Sequence, residues 1–209
     1  MTTRLDLRSR IRTTLTDTSG SPLWSDGTLN DALITAMSEY SVMNPKREVT
    51  LVAILATTTI YALPAGVDPL GCRALFDVYG RRIPRAAGSP GHRPPDEWNA
   101  LLEWEILGEE LRLTAEPGDS AGSWSLHHLK PRTMPTDDVT AVDVPSRDDQ
   151  TLVFLAAAAA IELRQTDELK RDPAERSTFH TAEHIKRFRT RARTHFRRGY
   201  VTVTGMATE

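Results

Sequence analysis

The hydrophobic period of this chain changes twice, and that order limits the folds open to it. Near the start, Leu7, Ile11 and Leu15 stand four apart. After a break of small and polar residues at 17–22, Leu29, Leu33, Ala36, Met37 and Tyr40 repeat the helical period. The middle reads as strands. From about residue 147 the helical period returns, through Leu152, Leu155, Ala156, Ala159 and Leu163 on one side of a first helix. A second carries Ala182, Ile185, Phe188, Ala192 and Phe196 as one apolar stripe. Helices at both ends with strands between them predict an α+β fold. The N-terminal and C-terminal helical pairs are expected to pack together, with a small antiparallel β domain inserted between them. The expected divisions are 1–46, 47–132, 133–199 and a C-terminal tail at 200–209.

Local chemistry marks the boundaries. Ser25 suits an N-cap, and Asp26 in the following turn suits the positive end of the helix dipole. Asn44 and Pro45 end that helix. Residues 49–55, 57–61 and 74–79 read as strands, with Leu63-Pro64 closing the second and Gly80-Arg81 turning the third. Residues 88–95 read as a polar, proline-rich loop, and 96–102 as one or two helical turns. Residues 104–114 read as a hairpin and 116–119 as a turn; 123–129 form the last strand. The acidic stretch 133–145 is an ordered connection or a short linker. Asp172-Pro173 is expected to open the last helix, and Gly199 to end it.

Composition excludes several classes. The longest apolar run, residues 152–161, is half alanine and too short for a bilayer, so no membrane partner is expected. The first residues lack the apolar core of a signal peptide, and the lone Cys72 has no partner for an internal disulfide; both suit a cytosolic chain. The net charge of −2 hides an asymmetry. Lys186, Arg187, Arg189, Arg191, Arg193, Arg197 and Arg198 fall in thirteen residues without an acid, leaving the rest of the chain at −9.

No catalytic, metal or cofactor site is expected, and no enzyme. The phosphate-cradling glycine motifs and Gly-x-Ser-x-Gly are missing. His180 and His184 share a helix face but lack a third ligand. His127 and His128 in a strand point to opposite faces. His92 stands in a loop without a partner pattern. Asp137, Asp138, Asp143, Asp148 and Asp149 lack the calcium-loop spacing. The basic helix is the candidate interaction element. Its guanidinium groups suit either an acidic protein surface or nucleic-acid phosphates. Tyr200, Val201, Thr202, Val203 and Thr204 alternate as a strand does, and are expected to add to a sheet edge on a partner.

Three pieces of this order carry a family resemblance: the helix, turn and Leu23-Trp24-Ser25-Asp26 leading into a helix with Glu39-Tyr40; Tyr61-x-Leu63-Pro64 after a β-run; and the closing helical pair. Together they resemble the head–tail adaptor (connector) proteins of tailed bacteriophages. The resemblance implies a structural protein of the virion neck, assembled in the host cytoplasm. Its copies would form a ring, usually twelvefold, between the portal protein and the next neck or tail-terminator component. Double-stranded DNA would pass through the lumen without sequence-specific binding. Ring closure can require the portal as template, so the free chain need not oligomerise. The alternative class is a DNA-binding packaging accessory protein using the basic helix.

Overall fold

The computed structural model describes residues 2–18, 22–86, 102–169 and 181–200. The expected loop at 88–95, most of the expected helical turns at 96–102, the helix start at Asp172-Pro173, and His92 and His180 lie outside them. The fold is α+β, and it divides into two compact units: Met1–Asn44 with Pro131–Glu209, and Pro45–Lys130. Both ends of the chain build the first unit; the second is an insertion.

The first unit holds α1 (Arg4–Thr14), α2 (Asp26–Met43), α3 (Asp149–Leu169) and α4 (Thr181–Tyr200). Leu7 and Ile11 of α1 and Leu29, Leu33, Ala36, Met37 and Tyr40 of α2 are buried, as their spacing requires. Ser25 caps α2 by accepting from the Thr28 N–H. Thr3 and Asp6 close a capping box on α1. The elbow between them is held by Asp17, which accepts from the Leu23 N–H at 2.6 Å and the Trp24 N–H at 3.2 Å. Arg12 bridges Asp17, the Trp24 carbonyl and Asp26. Trp24 is thus a buried structural residue.

α3 differs from its sequence reading. Its burial is not confined to one side: Thr151, Leu152, Val153 and every residue from 155 to 161 are buried. The helix runs through the middle of the unit and packs against α1, α2 and α4. Alanines on the faces between the leucines let three helices approach it together, which a stripe of large residues would prevent.

The acidic stretch before α3 is an ordered connection. Arg4 donates to Asp138 at 2.8 Å, and Arg8 donates to both its oxygens at 2.9 and 2.6 Å. Asp137 accepts from the N–H groups of Val139 and Thr140. Arg132 reaches Asp143, Arg10 reaches Asp149, and Tyr40 donates to the buried Asp148 at 2.6 Å. These carboxylates therefore serve as internal acceptors. The hydrogen bonds from Arg8, then the one from Arg4, hold the Asp138 carboxyl below its ordinary pKa. A lowered folded pKa contributes stability that is present above the unfolded value and lost as pH falls through the folded one. Asp138→Asn is expected to destabilise the chain at neutral pH, with the difference from wild type shrinking below about pH 4, where protonation removes the same fork. Urea midpoints measured from pH 7 to pH 2 check this; an undiminished difference at pH 2 would contradict it.

The inserted unit is two antiparallel sheets. β1 (Lys46–Ile54), β7 (Gly122–Lys130), β3 (Cys72–Phe76) and β4 (Arg82–Ile83) lie side by side in that order. β2 (Ile60–Ala62), β6 (Glu110–Leu113) and β5 (Trp104–Leu107) form the second. The inner faces share one core, in which Val52, Leu75, Trp124 and Leu126 meet Tyr61, Trp104, Leu111 and Leu113. Two strands are shorter than their composition suggests. Residues 57–59 form the corner where the chain leaves the first sheet for the second, and the Tyr61 hydroxyl donates to the Leu55 and Thr58 carbonyls there. The third strand stops at Phe76. Asp77 then accepts from the Tyr79 and Arg81 N–H groups and turns the chain into β4. The 104–114 hairpin forms as its sequence predicts, with Gly108 at φ 61 in its two-residue turn. His128 is buried and His127 exposed, on opposite faces.

Candidate functional site

The apolar stripe of α4 fixes which way its cations point. Phe188 and Ala192 are buried, Ile185 and Phe196 partly so, while Ala182 at the helix start is exposed. Phe188 stacks on Phe154 of α3 at 6.3 Å, and Phe196 meets the Tyr40 ring edge-on at 6.3 Å. The Thr151 hydroxyl and His195 Nδ1 share a hydrogen bond of 3.0 Å. With this side against α2 and α3, the opposite side of the helix is left to solvent.

That side carries two adjacent rows. Lys186, Arg193 and Arg197 stand on one, with Thr190 between them; Arg187 and Arg191 stand on the other beside Thr194. All five basic residues are exposed. Among the described residues none of the five makes an ion pair. From Lys186 to Arg197 the helix rises about 16 Å. The result is a ridge of uncompensated positive charge on a chain that is acidic elsewhere.

Arg189 is placed differently. Its guanidinium forks onto Glu162 of α3 at 2.7 and 3.1 Å and reaches Glu39 of α2 at 2.6 Å. The hydrogen bond to Glu39 comes first in raising the Arg189 pKa, over the opposing effect of partial burial. This residue ties α4 to both neighbours. Its role depends on a carboxylate 150 residues away in sequence, a pairing that helical spacing does not reveal.

The end of the helix also departs from the sequence reading. α4 continues through Gly199 and includes Tyr200, so Gly199 does not stop it and Tyr200 belongs to the helix. A glycine in a helix costs only about 1 kcal/mol relative to alanine, too little to end one by itself. The side chains of Arg198 and Tyr200, and all of Val201, Thr202, Val203 and Thr204, lie outside the described residues.

Elsewhere, no three His, Cys, Asp or Glu side chains among the described residues converge as metal ligands would. The Cys72 thiol is buried, and burial pushes its pKa up, away from the thiolate a nucleophile needs. Among the described residues no helix is long and apolar enough to cross a membrane.

No protein-family model matches the chain, and no curated protein matches it. Among solved structures it matches a chain from the neck of an empty GTA particle computed with C6 symmetry. The two are 17% identical over 89% of this chain and 88% of that one, with a TM-score of 0.26.

Proposed function

We propose that this chain is a structural neck protein of a tailed-phage-type particle, a head–tail adaptor. Copies of it form a ring that joins the portal to the next neck or tail component and extends the DNA channel. The resemblance of the sequence to the adaptor family supplies the class. The observation that carries it to a surface is the α4 ridge: five exposed, unpaired cations on a helix anchored through its other side. A long cationic ridge with its arginines free suits a large anionic partner surface, and arginine suits carboxylates held in an interface. The portal, or the acidic part of a neighbouring copy, is that partner. The role is binding and geometry, without catalysis, in a twelvefold ring as the resemblance implies. The alternating sequence of residues 201–204 suits addition to a sheet edge of the portal.

The second reading is a DNA-binding packaging accessory protein, favoured by the same ridge, since phosphates also accept from arginine. Imaging of purified portal mixed with the full chain, and with a chain ending at Tyr200, tests the first reading. The expected result is added ring density on the tail side of the portal, weakened by the truncation. Absence of any added density, together with salt-sensitive duplex binding, would transfer the function to the second.

A further inference from the structure

The inserted unit has two outer faces of opposite charge. Because the inner faces of its sheets share one core, these outer faces look in opposite directions. On the four-stranded sheet, Arg47, Val49 and Leu51 of β1 point outward, with Phe76 of β3 and Arg82 of β4. Arg73 joins them at the β3 irregularity. Val49 is 52% and Leu51 65% exposed. Arg47, Arg73 and Arg82 make no ion pair among the described residues; Glu48 is held instead by Lys130 at 3.2 Å. The three arginines, with Glu48 already paired to Lys130, line a shallow concavity of about 500 Å³ that also includes Phe76 and His127.

The three-stranded sheet is the counterpart. Its outer face exposes Ile60 and Leu107, 51% and 48% accessible, beside Glu105, Glu110 and Arg112. Glu110 pairs with Arg112 at 2.7 Å. Glu105, and Glu109 in the two-residue turn after Leu107, have no ion pair among the described residues. One face thus carries three arginines around a hollow; the other carries Glu105 and Glu109 besides the Glu110–Arg112 pair.

We propose that these faces dock on each other between copies, the β5–β6 hairpin of one chain seating in the arginine-lined hollow of the next. The occupant is a second copy of this chain. Pairing the cationic face with itself would bring three arginines against three arginines, so a two-fold dimer through that face is disfavoured. Two different patches meeting head to tail give a ring or a filament. Val49 and Leu51, which offer nothing to a phosphate, argue against a nucleic-acid strand as occupant, and the Phe76 and His127 rings lie against each other at 4.7 Å. The smaller sheet is three strands about 4.8 Å apart and four residues deep at about 3.3 Å each, roughly 10 by 13 Å. That is well below a standard interface, so the contact is weak alone and strengthened when a template gathers the copies. In the assembled neck this inference rests on the ring reading above; in the purified chain it stands by itself.

Cross-linking of the full chain tests it. Leu51→Cys and Leu107→Cys in one chain, oxidised at low salt, are expected to give a ladder beyond dimer. The linking peptide by mass spectrometry should be 51–107; the native Cys72 is buried. Adding Arg47→Glu and Arg82→Glu should lower the yield about tenfold or more, as like charges then face each other. Adding Glu105→Arg and Glu109→Arg as well should restore it, which rules out misfolding as the cause of the loss. Absence of the 51–107 link, predominance of 51–51 or 107–107 links, or a yield insensitive to reversal would overturn the contact. So would a reversal that leaves the ladder intact but abolishes duplex binding. A chain that joins portals without forming this link would sink the contact and leave the neck reading standing; the link without portal joining would do the reverse.

Discussion

Replacing Trp104 by alanine is expected to destabilise the inserted unit by about 3–5 kcal/mol, the range for removing a large aromatic side chain from a packed core. The ring is 1% exposed and belongs to β5 of the three-stranded sheet. Its Nε1–H donates to the Ile83 carbonyl of β4, in the other sheet, at 3.1 Å. Its backbone exchanges hydrogen bonds with residues 84 and 86, and the Arg85 guanidinium lies 5.2 Å from the ring centroid. The residue therefore fastens one sheet to the other by packing, by hydrogen bonds and by a cation over its face. Its loss leaves a cavity between sheets and an unpaired carbonyl. The three-stranded sheet is the smaller of the two and loses its largest core side chain, so it should open first. Hydrogen exchange resolves this by residue: amides of β2, β5 and β6 should lose protection while those of α3 keep theirs. Equal loss across both units, or a change under about 1 kcal/mol, would show that Trp104 is not the fastening between the sheets.

The inserted unit shows which interactions leave a local trace in sequence. The β5–β6 hairpin was legible because a two-residue turn containing Gly108 and its flanking alternation are contiguous. That β5 and β6 leave the larger sheet and pair with β2 was not, because sheet membership is set by partners about 50 residues apart. Residues 57–59 have strand-forming side chains, yet the Tyr61 hydroxyl folds them into a corner; tertiary contact overrides propensity there. In the helical unit, Ser25 and the α2 stripe were legible for the same local reason. Arg8 was not. It sits on the buried side of α1 at 6% exposure, where periodicity expects an apolar residue, because Asp138 arrives from 130 positions away to neutralise it. The burial of α3 on every side over residues 155–161 had a signal in its unbroken alanine run, since alanine on every face permits close helices on every face. On α4 the charge density was legible, but the separation of Arg189 from its neighbours needed Glu39 and Glu162. The two charged faces of the inserted unit were invisible, because each gathers residues from strands that only the pairing brings together.

The second large effect is expected on the ridge itself. Under the proposed neck role, the double change Arg187→Glu and Arg191→Glu should leave the fold intact and lower portal joining about tenfold or more. Both side chains are exposed and make no ion pair among the described residues, so removing them breaks nothing inside the chain. α4 stays held by Phe188, Ala192, the Thr151–His195 hydrogen bond and the Arg189 fork. An exposed ion pair contributes under about 1 kcal/mol, so deleting one arginine would barely register. Reversal replaces attraction by repulsion at two positions on one row, and a ring repeats the loss in every copy. Small penalties per chain then become a large one per assembly. The measurement is the fraction of portals carrying ring density, set beside the salt dependence of duplex binding by the same variant. If the ridge meets an acidic protein surface, joining falls about tenfold or more while the slope of duplex binding against salt stays that of wild type. If joining survives and the slope falls by about two, one for each phosphate no longer neutralised, the ridge faces DNA, and the chain is a packaging accessory protein.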